Sequence, residues 1–204
     1  MKRFVNKKIF LVILVSILLI VGAVLAVYAA PAYYRKTVGI HIKPSADYGI
    51  HDIQYYLQND PEWRDDHIGN SNRLMGSTGC LVSCVASSIT DLGIPTTPKE
   101  LNRKLTDING FDGADLIWYK INEVFGEIDY KYTRVFSSST IEKDIEAGLL
   151  PIINVKYMGG GVTHWLIVVG ARDGDFLVYD PLNSSLTPMK LSVHGKVYAY
   201  RVLF

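Results

Sequence analysis

The first thirty residues differ from the rest of the chain in the order of apolar and polar positions. Residues 9–30 form a run of twenty-two residues without a charged side chain, and about 20 apolar residues suffice for a helix to cross a bilayer. A secretory signal peptide usually has a shorter apolar core of about 7–15 residues. The pattern therefore predicts a retained transmembrane signal-anchor over residues 9–30. A cleaved signal is the alternative, because small residues surround Tyr28.

Basic residues lie mainly on the N-terminal side of this apolar segment. Residues 1–8 contain four of them, whereas only Arg35 and Lys36 closely follow the segment. The more basic flank of a membrane helix stays in the cytoplasm. We therefore expect residues 1–8 to be a cytoplasmic tail and the chain from about Pro31 onward to lie outside the cell membrane. Cleavage of the signal would instead release the domain as a secreted protein.

Beyond the apolar run, the first half of the chain predicts helices. Residues 31–49 contain proline and glycine breaks and predict a stalk with a short leading strand at TVGIHI, and residues 50–79 are rich in turns. Apolar residues at helical spacing, cap residues and terminal glycines then indicate four helices. We expect them over residues 80–92, from Thr97 through ELNRKL, over residues 114–125 and over residues 139–147.

The last third of the chain changes to β-branched and aromatic runs separated by turns. These runs are PIINV, HWLIVVGA, DFLVYD and KVYAYRVLF, and residues 128–135 also alternate like a strand. The word GARDGD between the second and third runs predicts a hairpin turn. Helices followed by antiparallel strands constitute an α+β domain, which we place at residues 50–204.

The charge balance argues against a nucleic-acid partner. The chain has a net charge of +1, and removing the four basic residues of the N-terminal tail leaves −3 for residues 31–204. A mildly acidic domain without a basic stripe lacks the electrostatic footprint of nucleic-acid binding. We therefore expect contact with the membrane through residues 9–30 and no nucleic-acid partner.

The two cysteines, Cys80 and Cys84, lie four residues apart in one predicted helix. One helical turn does not favour a disulfide between them, and no histidine lies at zinc-ligand spacing, so neither a metal nor another cofactor is expected. Cys84 fits a small buried apolar residue. Cys80 opens the helix, where the helix dipole favours a thiolate, and Gly79 leaves room for a substrate carbonyl. Cys80 is therefore the candidate nucleophile.

A thiolate nucleophile needs a base, and the base needs an acceptor that orients it. Of the five histidines, His164 stands out because it starts the most apolar strand, directly after the glycines at 159–161. A hairpin at GARDGD would bring the start of that strand beside Asp180 at the end of the next. A surface histidine and a turn aspartate before proline are the simpler alternatives. The Cys80 amide and the Gln58 side chain are candidate oxyanion donors, although Gln58 alone would fit a solvated loop.

The order Gln58, Cys80, His164, Asp180 resembles that of papain-like cysteine peptidases. The words LQNDPEW, GSTGC, TPKEL and THWLIVVGARDGDFLVYDP resemble the bacterial group related to bacteriocin-leader (double-glycine) peptidases, cysteine peptidase family thirty-nine. This resemblance covers about residues 50–181 and implies a papain-like fold. It also implies that Cys80 is the nucleophile, His164 the general base and acid, and Asp180 the orienting residue. Gln58 and the Cys80 amide would form the oxyanion hole.

The chain departs from that group in two respects. Leu81-Val82-Ser83 follows the Gly-Cys pair where many relatives have Gly-Pro-Thr or a similar run of small residues. Leader peptidases are also fused to a transporter with a nucleotide-binding domain, and this sequence has no Walker A motif. We therefore do not expect double-glycine leader cleavage. The run Gly159–Gly161 is interpreted as a mobile loop beside the site.

These observations together predict a bacterial, membrane-anchored cysteine hydrolase outside the cytoplasm. It would act on a peptide or protein substrate, cleaving peptide or related amide bonds through a thioester at Cys80. A catalytically inactive papain-like binding domain on the cell surface is the main alternative. A papain-like acyl transferase, or an enzyme that hydrolyses cell-wall amides, is a further one.

Overall fold

The N-terminal apolar segment is a single long helix in the computed structural model, which describes the backbone of residues 2–204 and the side chains of residues 7–27 and 29–204. The predicted cytoplasmic tail therefore falls largely outside the described side chains, and Met1 falls outside the description altogether. Helix α1 spans Lys2–Thr37 and is long and apolar enough to cross a membrane. Its apolar side chains from Ile9 to Val27 are exposed, as expected of a surface that faces lipid.

Helix α1 continues beyond the predicted span, so residues 31–37 are helical rather than part of a stalk. Pro31 removes one backbone hydrogen bond from the helix, but the helix does not end there. In the last turn, Nε of Arg35 donates a hydrogen bond to the carbonyl of Phe136 at 2.7 Å. The end of α1 is thereby attached to the folded domain.

The rest of the chain is an α+β domain, as the sequence predicts. Its helices after α1 are α2 Met75–Thr78, α3 Cys80–Asp91, α4 Pro98–Asp107, α5 Tyr119–Val124 and α6 Ser138–Glu146. Its strands are β1 Phe111–Asp112, β2 Asp115–Leu116, β3 Tyr130–Tyr132, β4 Ile152–Lys156, β5 Thr163–Arg172, β6 Asp175–Tyr179, β7 Met189–Lys190 and β8 Val197–Leu203. Short 3₁₀ turns occur at Tyr157–Gly159 and Leu191–Val193.

Local capping explains where the helices begin and end. Thr97 caps α4 by accepting a hydrogen bond from the Glu100 amide, and Pro98 occupies the first turn. Ser137 and Thr140 form a reciprocal capping box at the start of α6. Gly93 follows α3 with a φ of +92°, a conformation that favours glycine. The helices predicted at 80–92, after Thr97 and at 139–147 are confirmed to within about two residues.

Two predicted elements differ from the structure. The helix expected over residues 114–125 is wrong in its first part, because residues 111–116 form the β1–β2 hairpin around Gly113, whose φ is +61°. The leading strand expected at TVGIHI is reduced to an isolated bridge between Ile40 and Val197. Gly39, at a φ of +70°, lies against the Tyr198 ring, where a Cβ would come within 2.9 Å. The chain therefore bends before a strand can extend.

A six-stranded sheet with antiparallel pairing and the order β3-β8-β4-β5-β6-β7 organises the domain. Helix α3 packs against β5 and α4 on one face, where Ile167 and Val169 enter the core together with Val85 and Ile89. Alternate residues of β5 enter a second core on the other face, which α6 covers. Because helices cover both faces of the sheet, the N-terminus of α3 can approach β5 only at the end of the sheet.

Candidate active site

Cys80 is the first residue of helix α3, directly after a break at Gly79. The Gly79 amide donates to the Met75 carbonyl, whereas the Gly79 carbonyl accepts from Ser83 and starts the next helix. A Cβ at position 79 would lie 2.5 Å from the Met75 carbonyl oxygen, so close packing against Met75 requires the glycine. This reason differs from the predicted one, which was room for a substrate carbonyl. The Cys80 amide belongs to the first turn, whose N–H groups have no partner within the helix.

His164 and Asp180 form a buried hydrogen-bonded pair at the end of the β5–β6 hairpin. Nε2 of His164 lies 2.6 Å from Oδ1 of Asp180, and the side chains are buried, with residue exposures of 3% and 2%. The same carboxylate oxygen accepts a hydrogen bond of 2.8 Å from the Leu182 amide. Asp180 is therefore held from two sides, and the Nδ1 atom of His164 is left for another partner.

The charges around His164 favour its protonated form. Burial opposes the charged imidazolium, but the hydrogen bond with Asp180 and the interactions with the Cys80 side chain outweigh burial and raise the pKa of His164 to about 9. Burial also opposes the charged form of Asp180 and would raise its pKa. The hydrogen bond and charge of His164, together with the hydrogen bond from the Leu182 amide, outweigh burial and lower the pKa of Asp180 below its ordinary value. At neutral pH the pair is an imidazolium beside a carboxylate.

Gln58 is buried, with 2% of the residue exposed, and is not a solvated loop residue. Its side-chain amide donates to the Gly76 carbonyl at 2.9 Å, and its backbone amide donates to the Pro181 carbonyl at 3.0 Å. Gln58 therefore connects the segment just before Cys80 with the segment just after Asp180. The four residues selected from the sequence come together in one region of the domain.

His194 also belongs to this region, although no motif in the sequence distinguishes it. Its Nδ1 atom accepts a hydrogen bond of 3.2 Å from the Met158 amide, so a neutral His194 carries its proton on Nε2. Nε2 lies 3.5 Å from Oδ2 of Asp180. Burial lowers the pKa of His194, and the positive charge of His164 reinforces this effect against the attraction of Asp180. His194 is therefore a neutral neighbour on the second oxygen of Asp180.

The glycine-rich segment that precedes β5 lies beside this pair of histidines. The Tyr157 ring meets the His164 ring edge-on, with ring centroids 5.3 Å apart, and lies 5.8 Å from the His194 ring. Met158 adopts a φ of +48°, and Gly159 one of +71°. The segment that leads into the glycines therefore contacts both histidines, whereas the role and mobility of Gly159–Gly161 as a loop beside the site stay predictions.

Cys84 has the structural role expected of it. It is fully buried in the core between α3 and β5, and its thiol lies 3.5 Å from the Trp165 carbonyl oxygen. Burial raises the pKa of Cys84 well above its ordinary value, and the nearby Cys80 and Asp180 act in the same direction. Cys84 is therefore poorly suited to act as a nucleophile.

No group of three or more His, Cys, Asp or Glu side chains suited to a metal ion occurs among the side chains that the structure describes. The absence of a metal or other cofactor stays a prediction. The chemistry of the site as described rests on a thiol, an imidazole, a carboxylate and amide donors.

Comparisons with known proteins show a similarity in fold. No protein-family profile matches the chain, and no curated protein sequence matches it. The crystal structure of a candidate C39-like peptidase from Bacillus anthracis is similar, with a TM-score of 0.50 and 12% sequence identity. The match covers 76% of this chain and 98% of that chain. The domain therefore has a C39-like, coarsely papain-like fold, and the narrower likeness to leader peptidases stays a prediction.

Proposed function

We propose that this protein is a cysteine hydrolase that cleaves peptide or related amide bonds. The observation that carries the proposal is the placement of Cys80, at the start of α3, next to a buried His164 that is bonded to Asp180. A nucleophile at a helix N-terminus, a base beside it and a carboxylate behind the base are the three parts that covalent acyl transfer requires.

In the acylation step, the Cys80 thiolate attacks the carbonyl carbon of the scissile bond. A bond forms between Sγ and this carbon, and the carbonyl π electrons move to the oxygen. His164, protonated through its interactions with Asp180 and Cys80, then gives its proton to the nitrogen of the leaving amine as the C–N bond breaks. The products are a free amine and a thioester at Cys80.

In the deacylation step, His164 is neutral and accepts a proton from the attacking water. The water oxygen bonds to the thioester carbon, and the C–S bond breaks to release a carboxylic acid. The Cys80 sulfur leaves as the thiolate, and the proton on His164 restores the starting state. The amide N–H of Cys80, for which the described residues provide no backbone partner, and the side chain of Gln58 stabilise the oxyanion in both steps.

The proposal places this domain outside the cytoplasm, anchored by α1. A helix of sufficient length and apolar character supports the anchor, and the excess of basic residues before residue 9 supports a cytoplasmic N-terminus. Flotation of the full-length protein with vesicles, followed by addition of a protease to intact cells, tests both points. Loss of the domain to external protease is expected, whereas full protection in intact cells would contradict the orientation.

One observation favours the second candidate, an inactive binding domain. Cys80 is only 7% exposed and His164 only 3%, so little of either residue is open to a substrate. Catalytic contacts in a free enzyme are often completed only when the substrate binds, which leaves burial compatible with catalysis. Thiol reactivity distinguishes the two functions.

The decisive experiment is alkylation of the full-length protein by iodoacetamide over a range of pH. The wild type is compared with Cys80→Ala, His164→Ala and the matched control Cys84→Ala. We expect fast modification at neutral pH in the wild type and in Cys84→Ala. The fast reaction should be absent in Cys80→Ala, and modification should be slower in His164→Ala than in the wild type. A Cys80 that reacts no faster than a free thiol would overturn the hydrolase proposal in favour of the binding domain.

A second measurement separates hydrolysis from acyl transfer. Turnover of a fluorogenic peptide library is followed with and without an added primary amine. Hydrolysis gives a free carboxylic acid in both cases, whereas a transferase gives a new amide when the amine is present.

A further inference from the structure

A cavity of about 520 Å³ lies between the C-terminal part of α1 and the edge of the sheet. Ala29, Tyr33 and Lys36 of α1 form one wall, and residues of β3, β8 and the segment after β3 form the other. The hydrogen bond from Arg35 to the Phe136 carbonyl attaches the helix beside this cavity. The cavity is distinct from the candidate active site, because none of the four residues of that site lines it.

The lining of the cavity is basic and aromatic. Lys36, Arg134 and Arg201 contribute positive charge, and Tyr33 and Tyr132 contribute aromatic rings. No aspartate or glutamate lines the cavity. In the part of the chain whose side chains are described, none of the three cations forms an ion pair with a carboxylate. The lining is therefore suited to an anion.

Arg201 gives a second and independent indication of an anion. Its guanidinium carbon lies 4.8 Å from the centroid of the Tyr132 ring and 5.5 Å from that of Trp118. Nη1 donates to the Tyr200 carbonyl, but Nε is buried without a partner among the described residues. Burial lowers the pKa of Arg201, and the charge of Arg134 adds to this effect. A bound anion beside the guanidinium would offset the repulsion between the two arginines.

The position of the cavity along α1 indicates the source of that anion. The apolar run ends at Ala30, and Lys36 follows six residues later, which corresponds to about 9 Å along a helix axis. The head-group layer on each side of a bilayer is roughly 5–8 Å thick. A cavity bounded by Ala29 and Lys36 therefore lies at the depth of the lipid head groups, where tyrosine is also enriched.

We propose that this cavity binds the phosphate head group of an acidic phospholipid from the membrane that α1 spans. Lys36 and Arg134 attract the phosphate at the mouth, and Arg201 receives it deeper in the cavity. Such a lipid would fix the orientation of the domain relative to the bilayer. The inference rests on α1 being a membrane anchor and does not depend on the hydrolase activity.

The test measures lipid retention by native mass spectrometry of the full-length protein in mild detergent. Phosphatidylglycerol is compared with phosphatidylcholine for the wild type, for the double variant Lys36→Gln/Arg134→Gln and for the charge-matched control Lys43→Gln/Lys190→Gln. Each basic residue contributes about 1 kcal/mol to attraction of an acidic lipid, so the double variant should bind phosphatidylglycerol about thirtyfold more weakly. The control should bind like the wild type.

Three outcomes would overturn the inference. They are equal retention of the two lipids by the wild type, equal loss in both double variants, or displacement of the lipid by millimolar inorganic phosphate, which would indicate a site for free phosphate. Flotation with vesicles of phosphatidylcholine alone reports the anchor separately. A protein that floats but shows no preference for phosphatidylglycerol retains its anchor and lacks the lipid site.

Discussion

Nε2 of His164 lies 2.6 Å from Oδ1 of Asp180, although the two residues are not opposite each other in the β5–β6 ladder. The ladder ends at the pair Ile167 and Tyr179, so Asp180 follows directly and His164 lies three residues before. Strand alternation places His164 on the same face as Val168, and Asp180 on the same face as Val178. Side chains of this length can bridge such a diagonal, and the bond closes the open end of the hairpin.

The first prediction concerns the titration of His164. In the wild type its imidazole should lose its proton at about pH 9, because Asp180 and Cys80 favour the charged form against burial. Replacement Asp180→Asn removes the negative partner and should move the midpoint to lower pH. The measurement is NMR of ¹³C-histidine-labelled full-length protein in micelles, with His164→Gln to assign the signal. An unchanged midpoint in Asp180→Asn would show that this carboxylate does not determine the charge of His164.

The second prediction concerns stability as a function of pH. The folded pKa of His164, about 9, is above the unfolded value of about 6.5, so folding and proton binding favour each other. The stabilisation from this residue is therefore complete below about pH 6.5 and is lost as the pH rises through about 9. Denaturant unfolding of wild type and His164→Gln should give a difference in free energy that shrinks from pH 6 to pH 9.5. A difference that grows over this interval would reverse the sign we assign.

The third prediction concerns Gln58. Replacement Gln58→Ala removes a donor proposed for the oxyanion and the hydrogen bond to the Gly76 carbonyl, and loss of one oxyanion donor lowers the rate by about 10²–10³-fold. Acylation by a cleavable peptide should fall by about this factor. Alkylation of Cys80 by iodoacetamide forms no oxyanion and should change little.

Gln54→Ala is the matched control for this variant, because Gln54 is exposed. If Gln58→Ala slows alkylation as much as acylation, Gln58 supports the local fold around Cys80 rather than the oxyanion. If neither rate changes, Gln58 has no part in the reaction.

The fourth prediction concerns His194 as a positioning residue. Replacement His194→Phe keeps a ring against Tyr157 but removes the acceptor for Met158 and the donor near Asp180. Nε2 of His194 lies 3.5 Å from Oδ2 of Asp180 and has no hydrogen-bond partner among the described residues, so its effect on the carboxylate should be smaller than the roughly 1.5 kcal/mol of a weak hydrogen bond to a charged group. Alkylation of Cys80 should therefore slow by less than about tenfold. Amide exchange at residues 157–162 should also become faster.

His41 is exposed, so His41→Phe serves as the control and should leave both measurements unchanged. A merely structural His194 would alter amide exchange without moving the NMR titration midpoint of His164. A shift in that midpoint together with the slower alkylation identifies the action through Asp180.

Much of the fold follows from short-range signals. The segment GARDGD forms a two-residue turn at Asp173 and Gly174, with φ values of +54° and +70°. This turn fixes the pairing of β5 with β6. Thr97 determines the start of α4 because the cap and its partner are three residues apart. Such signals can be recognised in the sequence because both interacting groups lie within a few positions of each other.

The prediction is weaker where distant contacts override the local pattern. Residues 111–116 have helical neighbours in sequence, but Gly113 adopts a left-handed turn and makes a hairpin. Among the described residues, the β-pairing of residues 38–49 is limited to single bridges with Val197 and Ala171, more than a hundred residues away. Neither outcome is encoded by the alternation of apolar and polar residues, since both depend on the surface on which the segment comes to lie.

The sequence by itself determined the apolar helix, the α+β order of elements, the placement of Cys80 at a helix start and the approach of His164 to Asp180. All of these depend on periodicity, capping or one tight hairpin. Only the tertiary structure decided that His194 lies near Asp180, that Gln58 bridges Gly76 and Pro181, and that Arg201 lines a cavity beside α1. The sheet order β3-β8-β4-β5-β6-β7 brings together strands that are distant in the sequence, and packing across such distances leaves no periodic signal in the chain.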